Sequence, residues 1–316
     1  MATQTIFSPN PFQRRQLKYF SSKAIPTYLF RLVAPKTPGH TSMSTVASKA
    51  TMGPERSNYP EDIFRHTQME GAALVYAHLH WRCDERCNFM NWNRSLLFAL
   101  HYGFEIFLYI LDTTEFPEGT FVKDLDILEA FEGESQDVTE ILGMRRGNGR
   151  PRCYFGEYLT QGRLKIEGKC ARVSLQKLID LGLYELHPGL RNQDRWTSLA
   201  MRVLELRTSF VNLPATTSSE VQKAVMIAKH SFGDRWAVPF SAMLLALRPR
   251  NDYDKIASAY SPIFPADAIS VENIHIDSEG LPEVKQFARI VNAINRKFNN
   301  SNISILLNPF TRMAFE

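Results

Sequence analysis

The feature that most restricts this chain is the segment EIFLYILD at residues 105–112. It is a nearly unbroken apolar run of strand length, and a strand of that kind is buried on both faces and lies centrally in a sheet. Further strand-forming stretches supply its neighbours. Residues 27–33, TYLFRLV, place Leu29, Arg31 and Val33 on one face and Tyr28, Phe30 and Leu32 on the other. Residues 89–92 form a short strand, and Ser95 just after it is a good N-cap for the helix LLFALHYG. Residues 153–174, broken by Gly156, Gly162 and Gly168, read as two or three short strands. A helix is expected from Asn58, Pro60 and Glu61 through Ile63, Met69, Ala73, Tyr76 and Ala77 to about His80, with loops over 34–58 and 132–152.

After Ser174 the periodicity turns helical, over 175–186, 194–210, 220–232, 239–247 and 282–298, with residues 212–219, NLPATTSS, as the best linker. Strands gathered in the first half and helices in the second give an α+β chain. The expected organisation is a basic, disordered tail at 1–24, a mixed domain at 25–190 and a helical region at 191–316.

Charge sharpens this. Lys and Arg number 37 against 33 acids, yet residues 1–54 hold Arg14, Arg15, Lys18, Lys23, Arg31, Lys36 and Lys49 and no acid. The remainder is slightly acidic, so the pI of 8.8 belongs to the N-terminal end and argues against a nucleic-acid groove. A hydrophobic fraction of 44% excludes a wholly disordered or fibrous chain. Four cysteines suit a reducing compartment, and no apolar stretch reaches membrane-spanning length. The expectation is an intracellular protein, cytoplasmic or nuclear, with no membrane partner. The Ser- and Arg-containing start has a transit-peptide bias that Pro9 and Pro11 interrupt.

His78, His80, Cys83 and Cys87 are competent zinc ligands within ten residues, but their spacing fits no common structural zinc pattern; two histidines at a helix end and two packing cysteines are the simpler reading. The run MRRGNGRPR lacks the rest of a phosphate loop, leaving Arg145, Arg146, Arg150 and Arg152 as solvated loop charges or phosphate contacts. No G-x-S-x-G elbow is present.

Three separated features remain: an Arg on an early strand (LFR, Arg31), a polar-x-Ser at a strand-to-helix junction (NRS, Asn93 to Ser95), and a Glu opening a strand (GEYLTQGRL, Glu157) with Gly162 five and Leu164 seven residues on. Their order and settings resemble the ADP-ribosyltransferase superfamily of the Arg, Ser-Thr-Ser, Glu class, which includes heat-labile enterotoxin-like A chains. The phrases YLFR, SLLFAL, LDTTEFPEGTF and GEYLTQGRL look more closely like an uncharacterised fungal domain family with an ADP-ribosyltransferase-like core.

The resemblance implies a split β-sheet with flanking helices over about residues 25–190 and NAD as substrate. Glu157 would be catalytic, its carboxylate stabilising the oxocarbenium-like state as the nicotinamide–ribose bond breaks. Arg31 would hold a phosphate or ribose, and Asn93 and Ser95 would complete the site, Ser95 by orienting Glu157. Phe98, Tyr102 or Tyr154 would stack on nicotinamide. Two departures stand out: Phe155 occupies the position where the toxin-like enzymes carry Glu or Gln, and only the last Ser of Ser-Thr-Ser is kept. Three outcomes follow: transfer to another acceptor, NAD hydrolysis, or a catalytically inactive fold that acts as a protein-interaction module.

Overall fold

The computed structural model describes residues 5–17, 20, 24–52, 62–100, 106–147, 154–191, 199–208, 215–265, 271 and 273–311, without side chains at 199 and 300–311. It is an α+β structure that divides into two compact units. One comprises Met1–Leu175 and His275–Leu281, the other Gln176–Ile274 and Pro282–Glu316. The helical unit thus begins closer to Ser174 than to residue 191, and a seven-residue segment near the C-terminus returns to the first unit.

In chain order the first unit contains α1 (Pro11–Gln16), β1 (Tyr28–Val33), β2 (His40–Thr41), β3 (Thr45–Ala47), α2 (Gln68–Leu79), β4 (Phe89–Asn93), α3 (Leu96–Leu100), β5 (Phe107–Asp112), β6 (Val122–Lys123), α4 (Asp124–Ala130), α5 (Gln136–Arg146), β7 (Glu157–Gln161), β8 (Arg163–Lys165) and β9 (Cys170–Ser174). Six strands form one sheet in the order β6-β7-β4-β1-β5-β9, all neighbours antiparallel, and β2-β3-β8 form a smaller one. The apolar run at 105–112 supplies β5, flanked by β1 and β9 and buried from Leu108 to Leu111. One face of the large sheet contributes Leu29, Met90, Trp92, Tyr109, Leu111 and Tyr158 to a core that Val46 and Leu164 of the small sheet complete.

Four expectations are corrected. Residues 34–58 do not form only a loop, since β2 and β3 lie within them; strands of two and three residues are too short to show a period. Helix α2 starts at Gln68, after Ile63, because Thr67 and Glu70 close a capping box; Asn58, Pro60 and Glu61 lie outside the described residues. Residues 132–152 include the helix α5, opened by the Ser135 cap and ended by Gly147 with φ 81°. The N-terminal stretch read as a tail contains α1, with an Asn10–Gln13 capping box, and buries Phe7, Leu17 and Phe20. Apolar residues there outweigh the basic composition.

The second unit holds the helices α6 (Leu175–Asp180, entered from the last residue of the first unit), α7 (Leu183–Leu186), α8 (Leu199–Thr208), α9 (Ser218–Phe232), α10 (Asp234–Leu245), α11 (Tyr253–Tyr260) and α12 (Pro282–Thr311). Its interior carries polar groups as well. Arg207 pairs with Glu283, and Arg250 donates to the Leu245 carbonyl and to Thr216. No described helix is long and apolar enough to cross a membrane.

Candidate functional site

Strand β1 pairs with β5 over six residues but with β4 through a single pair, Phe30 opposite Asn93. Beyond that pair the two strands part, and a cavity of about 320 Å³ lies at the parting. Its walls include Arg31, Lys36, Asn93, Phe98 and Glu157, together with His78, Trp81 and Cys83. The volume is at the lower end of the range of ligand pockets. Register sets Phe30, Asn93 and Glu157 in a row on one sheet face and Arg31 with Tyr109 on the other. Residues of both faces reach one cavity because the sheet is open between β1 and β4.

Arg31 spans that opening. It is 4% exposed, its Nη1 donates to the Asn91 carbonyl at 2.9 Å and its Nε to the Thr41 hydroxyl at 3.1 Å. The guanidinium thus takes up a carbonyl on the strand that β1 has left. No carboxylate pairs with it among the described residues, and burial lowers its pKa to about 10. A buried cation held only by neutral acceptors is incompletely compensated.

Glu157 opens β7 opposite Asn93, after Gly156, whose φ of 78° brings the backbone against the Arg94 side chain. Its carboxylate forms an ion pair with Arg145 of α5. Arg145 also reaches Asp124 Oδ2 at 3.3 Å, so one guanidinium stands between two buried carboxylates. Burial, together with nearby Glu157, raises Asp124 to about 7 although Arg145 opposes the shift. Burial disfavours the charged form of Arg145 too, but the two carboxylates override it and raise its pKa. The sequence pattern places Arg145 in a loop, whereas it lies in the last turn of α5. Its signal was a helical stripe, Val138, Ile141, Leu142 and Arg145, between a Ser cap and a Gly stop.

Asn93 lines the cavity with its side-chain oxygen committed, accepting the Ser95 N–H at 2.6 Å. Its Nδ2 is buried without a hydrogen-bond partner among the described residues, an amide donor at the cavity wall. Ser95 is fully buried and caps α3, its Oγ accepting the Phe98 N–H at 3.1 Å; it is not among the residues lining the cavity. Phe98 lines the cavity and stacks on Phe155, ring centroids 4.8 Å apart, so the aromatic that departs from the toxin pattern supports a wall residue. Tyr154 is completely buried and is not a wall residue; the Arg94 guanidinium lies 5.4 Å and Lys123 Nζ 6.0 Å from its ring centre. Tyr102 lies outside the described residues, as do Arg150 and Arg152.

Arg94 has a different task. Together with Lys123 it binds Asp277 on the returning segment, whose carboxyl also accepts the Tyr158 hydroxyl at 2.9 Å. Burial pushes Asp277 upward, but the two cations prevail and hold it at about 2. Of the four sulfur and imidazole candidates, His78, Cys83 and Cys87 converge, whereas His80 is exposed and its Nδ1 turns to the Tyr76 carbonyl. The chain matches no family model, no curated protein and no solved structure.

Proposed function

We propose that the cavity between β1 and β4 binds NAD and that Glu157 assists cleavage of its nicotinamide–ribose bond, with transfer of ADP-ribose to an acceptor or to water. The observation that carries this reading is that Arg31, Asn93, Phe98 and Glu157, which the sequence resemblance assigned to one site, line one cavity. The unfilled bonding capacity matches the ligand. Arg31, with Lys36 beside the cavity, offers positive charge to a pyrophosphate, and Asn93 Nδ2 offers a donor to a carboxamide or ribose oxygen. As the C1′–N bond breaks, its electron pair leaves with neutral nicotinamide. The cationic ribose is stabilised by the Glu157 carboxylate until a nucleophile attacks C1′.

The Arg145–Glu157 ion pair favours a second reading, a catalytically inactive relative that recruits a protein partner, because a paired carboxylate stabilises a cation less. Nicotinamide release from NAD, followed chromatographically, separates the two. The catalytic reading expects Glu157→Gln to lower release by about a hundredfold or more. It expects Arg31→Gln to weaken NAD binding by roughly ten- to a hundredfold. Release equal to that of a protein-free control refutes cleavage, and the absence of any NAD-induced shift in melting temperature refutes binding as well.

A further inference from the structure

We propose that His78, Cys83 and Cys87 form a zinc site, with His78 Nδ1 and the two Sγ atoms as ligands and a fourth position opening toward the cavity. The three ligand atoms lie within 4.8 Å of one another. His78 Nδ1 is 3.2 Å from Cys87 Sγ and 3.4 Å from Cys83 Sγ. A tetrahedral zinc ion with bonds of about 2.3 Å to sulfur and 2.05 Å to nitrogen needs N···S edges of about 3.6 Å, a few tenths from those observed.

The ring is set for this task. His78 Nε2 meets Asn91 Oδ1 at 2.5 Å, and with that oxygen as acceptor Nε2 carries the proton. The Nδ1 lone pair is therefore turned to the sulfurs, the arrangement by which an outer hydrogen bond fixes a metal-binding histidine. The backbone is shaped for it too. Helix α2 ends in a Schellman motif, Arg82 N–H to the Ala77 carbonyl at 2.8 Å and Trp81 N–H to that of His78 at 2.9 Å. The left-handed position of the motif belongs to Trp81, with φ 62°, where glycine is usual. That turn returns Cys83 to His78. Asp84 accepts the Arg86 N–H at 2.8 Å, and the Cys87 N–H closes on the Asp84 carbonyl at 3.1 Å, which brings Cys87 to the same point.

Two thiolates and an imidazole select zinc among the common divalent ions. The metal-ligand cluster found among the described residues offers no fourth protein ligand, and His78 and Cys83 both line the cavity. A ligand set of three with one open position is that of reactive zinc centres, whereas structural zinc is closed by four. The site stands whether or not the cavity takes NAD.

The test uses the full chain, purified under reducing conditions, stripped with chelator and reloaded. Metal analysis should then find about one zinc per chain. Cobalt substituted for zinc should give sulfur-to-cobalt charge-transfer absorption and the intense visible bands of a tetrahedral ion, a readout that needs no variant. Cys83→Ser and Cys87→Ser should each weaken zinc binding at least a hundredfold, and Asn91→Ala by roughly ten- to a hundredfold. His80→Ala and Cys170→Ser should leave it unchanged. A cobalt spectrum without charge-transfer bands overturns the proposal, and so does zinc retained undiminished by the Cys83→Ser/Cys87→Ser double variant.

Discussion

Replacing Arg145 by Ala tests the charge arrangement on which the candidate site rests. The guanidinium is one-tenth exposed in its side chain and pairs with Glu157 and Asp124, whose side chains are 7% and 0% exposed. Removing one member of a buried ion pair leaves its partners in low dielectric without a counter-charge, at a cost of about 3–5 kcal/mol. Here two carboxylates would be left together, so the upper half of that range applies at pH 8, where wild-type Asp124 is mostly ionised. Lowering the pH lets one carboxyl bind a proton and relieves both desolvation and repulsion, so the cost at pH 5.5 should be smaller by 1 kcal/mol or more, about one proton over one pH unit. With a urea slope of about 2 kcal/mol/M, the pH 8 effect is a fall of about 2 M in the unfolding midpoint, read by circular dichroism. A loss under about 1 kcal/mol at pH 8, or one that does not change with pH, would show that Arg145 is not the counter-charge of Glu157 and Asp124.

Asp124 and His187 give pH-dependent expectations of opposite sign. Burial raises Asp124 to about 7 in the folded chain, so the stability it contributes is complete below its unfolded value near 3.8 and is lost as pH rises through 7. Asp124→Asn should flatten the decline of melting temperature between pH 5 and pH 8, whereas parallel curves for variant and wild type would contradict the assignment. His187 is buried, with its Nε2 2.7 Å from the Leu244 carbonyl, and burial followed by the Arg250 charge lowers it to about 3. The unfolded chain binds this proton near pH 6.5 and the folded chain does not, so stability falls with pH from about 6.5 toward 3 by about 1.4 kcal/mol per unit. His187→Gln should lose less stability than wild type between pH 6.5 and pH 4.5 in urea titrations, and equal losses would remove His187 as the cause.

What the sequence conveyed depended on whether the signal was local. Strand β5 was legible as a buried apolar run, and Ser95 as a cap, because each is decided by a few adjacent residues; the place of β5 in the sheet, next to the edge strand β9 and not at the centre, is set by long-range pairing that the run does not contain. The glycines at 156, 162 and 168 all have positive φ, and they did separate three strands as their spacing suggested. Helix α5 was hidden because one buried position of its stripe is Arg145, which lowers the apolar signal that periodicity measures. The purpose of that arginine lies twelve residues further on at Glu157 and, beyond the turn, back at Asp124, a pairing no local pattern contains. The convergence of His78, Cys83 and Cys87 was equally illegible, since it depends on a left-handed Trp81 where a helix stop would ordinarily be read from glycine.

The buried cations of the first unit can be set against one another. Arg94 and Lys123 share Asp277, and Lys123 also meets Glu279 at 2.9 Å; Arg145 is held by Glu157 and Asp124. Arg31 is as buried as these, yet it is held by a carbonyl and a hydroxyl, with no carboxylate among the described residues. Desolvating a guanidinium costs several kcal/mol, which neutral acceptors offset only in part. Among the described residues, acids meet the other buried cations of this unit, whereas this charge stands at a cavity wall with neutral acceptors. On the proposed reading a ligand supplies that negative charge, with its anionic part toward Arg31 and the part that becomes cationic toward Glu157.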